Sequence, residues 1–223
     1  MTLQPPRDET ELCERLGRLR GQSLSGLAAA QGVPVPSELR RSKGFAGQLL
    51  ERALGATAAS RSEPDFPHLG IELKSVPVDA AGKPLQSTFV ASLELGSFDR
   101  RWETSGVRKK LQRVAWVSIE AATGTPLGDR LVIEARLWSP SAEEEAALRD
   151  DYEEIVELVD EGFGAQVTGH RGVSLQLRPK GKNAADLRWS LDEEGAAART
   201  APRAFYLRPA FTAALLTAAD KPK

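Results

Sequence analysis

Pro64-Asp65-Phe66-Pro67-His68-Leu69-Gly70-Ile71-Glu72-Leu73-Lys74 is the stretch of this 223-residue chain on which its fold and chemistry turn. From Gly70 to Val76 apolar and polar residues alternate, the period of a β-strand, whose successive side chains point to opposite faces. Ile71 and Leu73 then face a core. Glu72 and Lys74 stand side by side on the second face, and the preceding turn delivers Asp65. Two carboxylates about 4–5 Å apart repel by roughly 3–4 kcal/mol at an effective dielectric of 20. A fold keeps such a pair only where a cation relieves it or one group is protonated. A magnesium ion would supply that cation, polarise a phosphoryl oxygen and lower the pKa of its water, and Lys74 would orient that water or stabilise the transition state. Two acids and a lysine are therefore a minimal set for hydrolysing a phosphodiester. The spacing is degenerate by itself, because Glu and Lys also alternate on solvated strand faces.

Upstream of this stretch the apolar period is helical. Asp8 followed by Glu11 has the form of a capping box, with Leu12, Leu16 and Leu19 behind it. A second short helix follows Ser23 through Leu24, Leu27 and Ala28. After Pro34 and Pro36 a third helix runs from about Gly44 to Leu54 and stops at Gly55. Downstream, a strand over Leu85 to Leu95 is joined to the first across Asp79 to Pro84. A short helix capped by Ser105 carries Arg108, Lys109 and Lys110. Strands near Arg113–Ala121 and Arg130–Leu137, an acidic helix after Pro140, strands near Val173–Arg178 and Ala204–Leu207, and a helix from Pro209 to about Ala219 complete the pattern. The fold class is α/β or α+β: a mixed sheet flanked by helices, read as two lobes around a cleft.

Composition narrows the chemistry. Cys13 is the only cysteine, and His68 and His170 the only histidines, so neither a disulfide framework nor a histidine or thiolate metal cage is supplied. A hard, carboxylate-bound cation such as magnesium is the one that fits. The formal charge is −1, but it is segregated. Ten of the 31 acids lie within 141–163 beside a single base, Arg149, which leaves 21 acids against 29 of the 30 bases elsewhere. An acidic outer helix with a basic cleft accounts for this, and so do ordinary solvated faces. The N-terminal MTLQPPRDETELCERLGRL carries acids where a signal peptide needs an apolar run, and no apolar run is long enough to span a bilayer. A cytoplasmic location is the expectation.

The P-D…E-x-K spacing resembles the PD-(D/E)xK nucleases, and the words around it resemble the MutH family. These are Lys43-Gly44-Phe45, Leu49-Leu50-Glu51, Leu54-Gly55-Ala56, Asp65-Phe66, Leu69 to Lys74, Pro77-Val78-Asp79, Thr88-Phe89-Val90, Trp102 to Ser105, Val107-Arg108, Lys110-Leu111, Arg178-Pro179-Lys180 and Phe205-Tyr206-Leu207. They run in order from about residue 10 to residue 217. Phe45 stands where the family usually has tryptophan, and residues 93–97 and 181–199 are less alike.

The resemblance implies a restriction-endonuclease-like fold, one nuclease domain over 1–223 with a catalytic and a DNA-reading lobe around a DNA-binding cleft. It places the active site on Glu51, Asp65, Glu72, Lys74 and Lys110. Asp65, Glu72 and the Leu73 carbonyl would hold Mg²⁺, Lys74 would serve the attacking water, Glu51 would support the metal, and Lys110 would meet the scissile phosphate. Lys43, Arg108 and Lys180 would contact the DNA backbone, Arg178 a guanine, and Tyr206 the adenine N6 group. Phe89 and Phe205 read as core. The implied reaction is nicking of the unmethylated strand at hemimethylated GATC sites in double-stranded DNA by a monomer, activated by MutL. A GATC restriction enzyme cutting both strands and a non-catalytic DNA-binding module of the same fold are the alternatives.

Overall fold

A computed structural model gives the architecture. It describes residues 3–37, 44–58, 63–93, 98–161, 171–180, 188–191, 197–200 and 202–217. Lys43, expected at the DNA backbone, lies outside the described residues. In chain order the elements are α1 (Glu9–Leu19), α2 (Leu24–Ala30), α3 (Phe45–Leu54), β1 (Glu72–Val78), β2 (Thr88–Leu93), α4 (Gly106–Leu111), β3 (Val114–Glu120), β4 (Val132–Trp138), α5 (Ala142–Asp160), β5 (Leu175–Pro179), β6 (Arg188–Leu191), β7 (Ala197–Thr200), β8 (Arg203–Leu207) and α6 (Pro209–Thr217). They divide into two compact units. One is Met1–Gln86 with Arg113–Ser139 and Ala213–Lys223; the other is Ser87–Gln112 with Pro140–Thr212.

In the first unit a three-stranded sheet runs β1-β3-β4, with β1 parallel to β3 and β3 antiparallel to β4. This is the mixed sheet expected. A parallel pair needs a long crossover, and here the connection from β1 to β3 passes through β2 and α4 of the second unit. The helices begin where their sequence signals lie: Asp8 Oδ1 accepts from Glu11 N at 2.8 Å, and Ser23 Oγ from Gly26 N at 3.1 Å. The capping box at Asp8 is only half formed, because the Glu11 carboxylate takes Arg7 N–H and Arg15 instead. α3 lies between two left-handed glycines, Gly44 and Gly55. A Cβ at Gly55 would lie 2.5 Å from the Gln4 carbonyl oxygen, so only glycine fits that stop. Leu12 and Leu16 of α1, Leu24 of α2, and Leu49, Leu50 and Leu54 of α3 pack with Ile71, Leu73, Ala115 and Val117. Each such leucine contributes about 1.5–3 kcal/mol of burial.

The second unit holds the antiparallel sheet β2-β8-β5 and the hairpin β6-β7. α5 opens on a complete capping box, Ser141 with Glu144, and its first-turn acids complement the helix dipole. It buries Leu148, Tyr152, Ile155, Val156 and Val159. Most of its acids face solvent, as expected of the acidic helix, but Asp151 is buried.

Two expectations need correction, and one element was not foreseen. The first strand begins at Glu72, not Gly70, because Gly70 has φ +67° and closes a turn. The strand expected over Leu85 to Leu95 is β2, Thr88–Leu93, and it belongs to a different sheet from β1. The β6-β7 hairpin carried no periodic signal that marked it. No helix among the described residues is long and apolar enough to cross a membrane.

Candidate active site and nucleic-acid face

The turn ahead of β1 sets the position of Asp65. Phe66 and Ile71, both fully buried, form an antiparallel bridge in which Phe66 N donates to Ile71 O at 2.9 Å and Ile71 N to Phe66 O at 3.3 Å. Leu69 N donates to Phe66 O and Gly70 N to Pro67 O inside the loop, and the positive φ of Gly70 lets the chain return. Asp65 is thereby folded back against the strand it precedes. Its Oδ2 accepts from Leu73 N at 2.8 Å, and its carbonyl accepts from Thr57 N at 3.0 Å.

On β1, Lys74 Nζ donates to Glu72 Oε1 at 2.6 Å. Glu72 is 3% and Lys74 8% exposed, which rules out a solvated strand face. The expected adjacency holds, but both faces of the strand are buried rather than one. Glu72 N donates to Arg113 O, toward β3. Because successive peptide groups of a strand alternate in direction, the N–H and C=O of Leu73 face the opposite edge, where Asp65 accepts that N–H. Glu51, half-buried on α3, has its carboxyl pushed above its ordinary value by burial first, then by the charges of Asp65 and Glu72. The first unit therefore gathers Glu51, Asp65, Glu72 and Lys74.

The donor set suits a hard cation: carboxylate oxygens and an edge carbonyl, with negative charge converging on Glu51. Among the described residues no three acids or histidines form a ready-made cage. Glu72 is engaged by the Lys74 ammonium and Asp65 by the Leu73 amide.

The other expected residues lie in the second unit. Ser105 caps α4 by accepting from Arg108 N at 3.0 Å, and Lys110 is half-buried on that helix. Arg108 Nε donates to Glu145 Oε1 at 2.8 Å, an oxygen that also accepts from Trp102 Nε1 at 2.9 Å. These two donors hold the Glu145 carboxyl below its usual value despite its burial. Arg108, expected near the DNA backbone, is therefore also a tie between α4 and α5.

One face of the β2-β8-β5 sheet is polar. Phe89 lies opposite Tyr206, Tyr206 opposite Gln176, and Ala204 opposite both Ser92 and Arg178. A register shift between Phe89 and Ala91 brings Ser92 onto this face. The opposite face, with Leu175, Leu177, Phe205 and Leu207, is core. Arg178 lies 5.9 Å from the Tyr206 ring centre, and Lys180 Nζ 5.0 Å from that of Phe89. Lys180 Nζ also donates to Ser92 Oγ at 2.6 Å. Phe89 meets Tyr206 edge to face at 5.7 Å. Burial raises the Tyr206 phenol and the Arg178 charge lowers it, with burial the stronger. Phe205 is core as expected. Phe89 is not: it is 38% exposed, because it lies on the face shared with Tyr206 while its strand neighbours Thr88 and Val90 are buried.

Reading the sequence alone missed three residues. Ser87 and Gln176 join the Arg178 face by hydrogen bonds. Asp151, 7% exposed, accepts from the backbone N–H groups of Val173, Ser174 and Leu175 at 2.6–2.9 Å through its nearer oxygens. The alternation Leu175/Gln176/Leu177/Arg178 could have flagged Gln176. Nothing local flags Asp151, one acid among ten.

A family model described as "DNA mismatch repair enzyme MutH" matches residues 54–151, the span that holds Asp65, Glu72, Lys74, Arg108 and Lys110. Among curated relatives, the DNA mismatch repair protein MutH of Shewanella sp. strain ANA-3 is 46% identical over 213 residues, covering 95% of this chain and 96% of its own. That of Serratia proteamaculans strain 568 is 47% identical over 95% of this chain and 93% of its own. That of Vibrio cholerae serotype O1 is 47% identical over 95% and 96%. Likeness at this level over nearly the full length settles membership, and the chain belongs to the MutH family of DNA mismatch repair enzymes.

Proposed function

We propose that this protein is a Mg²⁺-dependent endodeoxyribonuclease that nicks the unmethylated strand at hemimethylated GATC sites, leaving a 5′-phosphate, as a cytoplasmic monomer activated by MutL. The observation that carries this reading is the buried Glu72–Lys74 pair beside Asp65, with the Glu51 carboxyl raised by burial and then by the charges of both acids.

In this reading Asp65, Glu72 and the Leu73 carbonyl hold the cation, and Glu51 supports it. The ion supplies Lewis-acid polarisation of a phosphoryl oxygen and a lowered water pKa. Lys74 would donate to the attacking water and to charge developing on the phosphoryl oxygens. Lys110 meets the scissile phosphate.

Phosphate contacts set affinity and base edges set specificity. Lys43, Arg108 and Lys180 supply the former. Arg178 can pair with guanine O6 and N7 together. Burial holds the Tyr206 phenol above its ordinary pKa, so it stays an O–H near neutral pH. It would meet adenine N6, where a methyl group displaces a hydrogen bond.

A supercoiled plasmid carrying or lacking adenine methylation, incubated with Mg²⁺ or EDTA and with or without MutL and ATP, tests the proposal. Slow nicking of unmethylated DNA, dependent on Mg²⁺ and accelerated by MutL, is expected. Linear product without MutL points instead to a restriction enzyme. Binding without nicking under any condition points to a non-catalytic module.

A further inference from the structure

Arg178 is held by a neighbour that has no assigned role. Ser87 Oγ accepts from Arg178 Nη1 at 3.1 Å and from Gln176 Nε2 at 2.8 Å. A hydroxyl has two acceptor lone pairs and one donor. Both lone pairs are filled, which leaves its proton as the remaining hydrogen-bonding capacity, turned away from the two donors.

The anchor itself is fixed. Ser87 directly precedes Thr88, which is buried at the start of β2 and registered opposite Leu207. Gln176 is 5% exposed and registered opposite Tyr206, so its amide reaches Ser87 from a set position. The Arg178 guanidinium is thus oriented from two sides, by Ser87 at Nη1 and by the Tyr206 ring below it. The remaining donors of the fork are left for a planar acceptor pair. A flexible arginine that must find this orientation for itself loses rotamer freedom on binding, and one already oriented does not.

We propose that Ser87 is the positioning residue that fixes the Arg178 guanidinium for base reading, and so sets sequence discrimination without touching the reacting atoms. This rests on the reading of Arg178 as the guanine contact. Nicking of a GATC duplex is compared with nicking of a duplex whose guanine is replaced, for the wild type, Ser87→Ala, Ser87→Thr, Arg178→Ala and the double variant. Ser87→Ala is expected to lower the ratio of kcat/KM values by about tenfold, the size of one hydrogen bond to a charged group. Its kcat on GATC and its Tm should stay at wild-type values, and Ser87→Thr, which keeps the hydroxyl, should restore the ratio. The double variant should be no worse than Arg178→Ala, because the two act as one unit. Unchanged discrimination in Ser87→Ala while Arg178→Ala loses it, or additive losses in the double variant, would overturn the role of Ser87 alone. Full discrimination in Arg178→Ala would remove the guanine reading and this inference together.

Discussion

Replacing Lys74 by methionine keeps most of its apolar stem and deletes the ammonium that lies 2.6 Å from Glu72 Oε1. At that distance the pair attraction is roughly 6 kcal/mol for an effective dielectric of 20, most of it offset by desolvating both ions. The net worth of the pair is therefore small, but removing one partner is not. It strands a carboxylate whose side chain is 4% exposed, which costs about 3–5 kcal/mol. For a chain of this length that corresponds to a fall in Tm of roughly 6–20 °C. Thermal unfolding in EDTA, followed by circular dichroism, measures it. The double variant Glu72→Gln/Lys74→Met removes both charges and should recover most of the loss, while nicking stays abolished in both variants. A single Lys74→Met variant that melts within about 2 °C of the wild type, or a double variant no more stable than that single variant, would show that the pair is not the buried, mutually dependent unit described.

Four further outcomes follow from the structure. Glu51 has a folded-state pKa raised above its ordinary 4.5, so its contribution to stability is full at low pH and is lost as pH rises through the raised value. In EDTA, Glu51→Gln should raise Tm relative to wild type at pH 7.5 and leave it unchanged near pH 4; a lower Tm at pH 7.5 would contradict the charge crowding. Asp151→Ala removes the acceptor for three successive amides and should cost about 3 kcal/mol or more, read as Tm and as faster hydrogen exchange at residues 173–175; wild-type protection there would refute it. Gly172→Ala should be comparably damaging, since its φ is +78° and an added Cβ would lie 1.9 Å from the Leu175 carbonyl oxygen; unchanged stability would show that the turn can rearrange. Lys180→Ala should weaken binding to all duplexes alike and reduce the slope of log K against log salt by about one, measured by fluorescence anisotropy; a loss confined to GATC duplexes would place Lys180 among the base readers.

Much of the helix pattern was legible because its signals are local. Asp8, Ser23 and Ser105 each cap the helix that their sequence neighbours announce, and Gly55 stops α3 where the leucine period ends. The adjacency of Glu72 and Lys74 follows from strand alternation alone. What that alternation cannot supply is the neighbour of each strand. β1 pairs in parallel with β3 more than thirty residues away, and the intervening β2 joins another sheet, a choice made by packing that no two-residue period encodes. Phe89 was misplaced for a related reason: Thr88, Phe89 and Val90 do alternate, but a two-residue period does not say which face is buried, and Phe89 falls on the exposed one with Tyr206. Asp151 was invisible because helix periodicity classes it with the acids around it, whereas its carboxylate is committed to a strand start more than twenty residues on.

The charge balance of the first unit bears most directly on the proposed chemistry. A buried ion pair is seldom the most stable solution for a core, since apolar residues of similar volume pack there without desolvation cost. Glu72 and Lys74 occupy the side of β1 away from Leu73, which packs into the leucine-rich cluster, and stability alone gives no reason to keep them. Nor do they balance the site. With Asp65 and Glu51 ionised, three carboxylates meet one ammonium, and the Glu51 carboxyl, raised first by its burial, is pushed further up by Asp65 and Glu72. Two negative charges remain, which one divalent cation would neutralise. Sodium would leave one uncompensated. Glu51→Gln should therefore stabilise the metal-free protein and forfeit nicking, whereas Glu72→Gln, which breaks the buried pair with Lys74, should forfeit nicking without that gain. That opposition between stability and activity is expected of residues kept for chemistry.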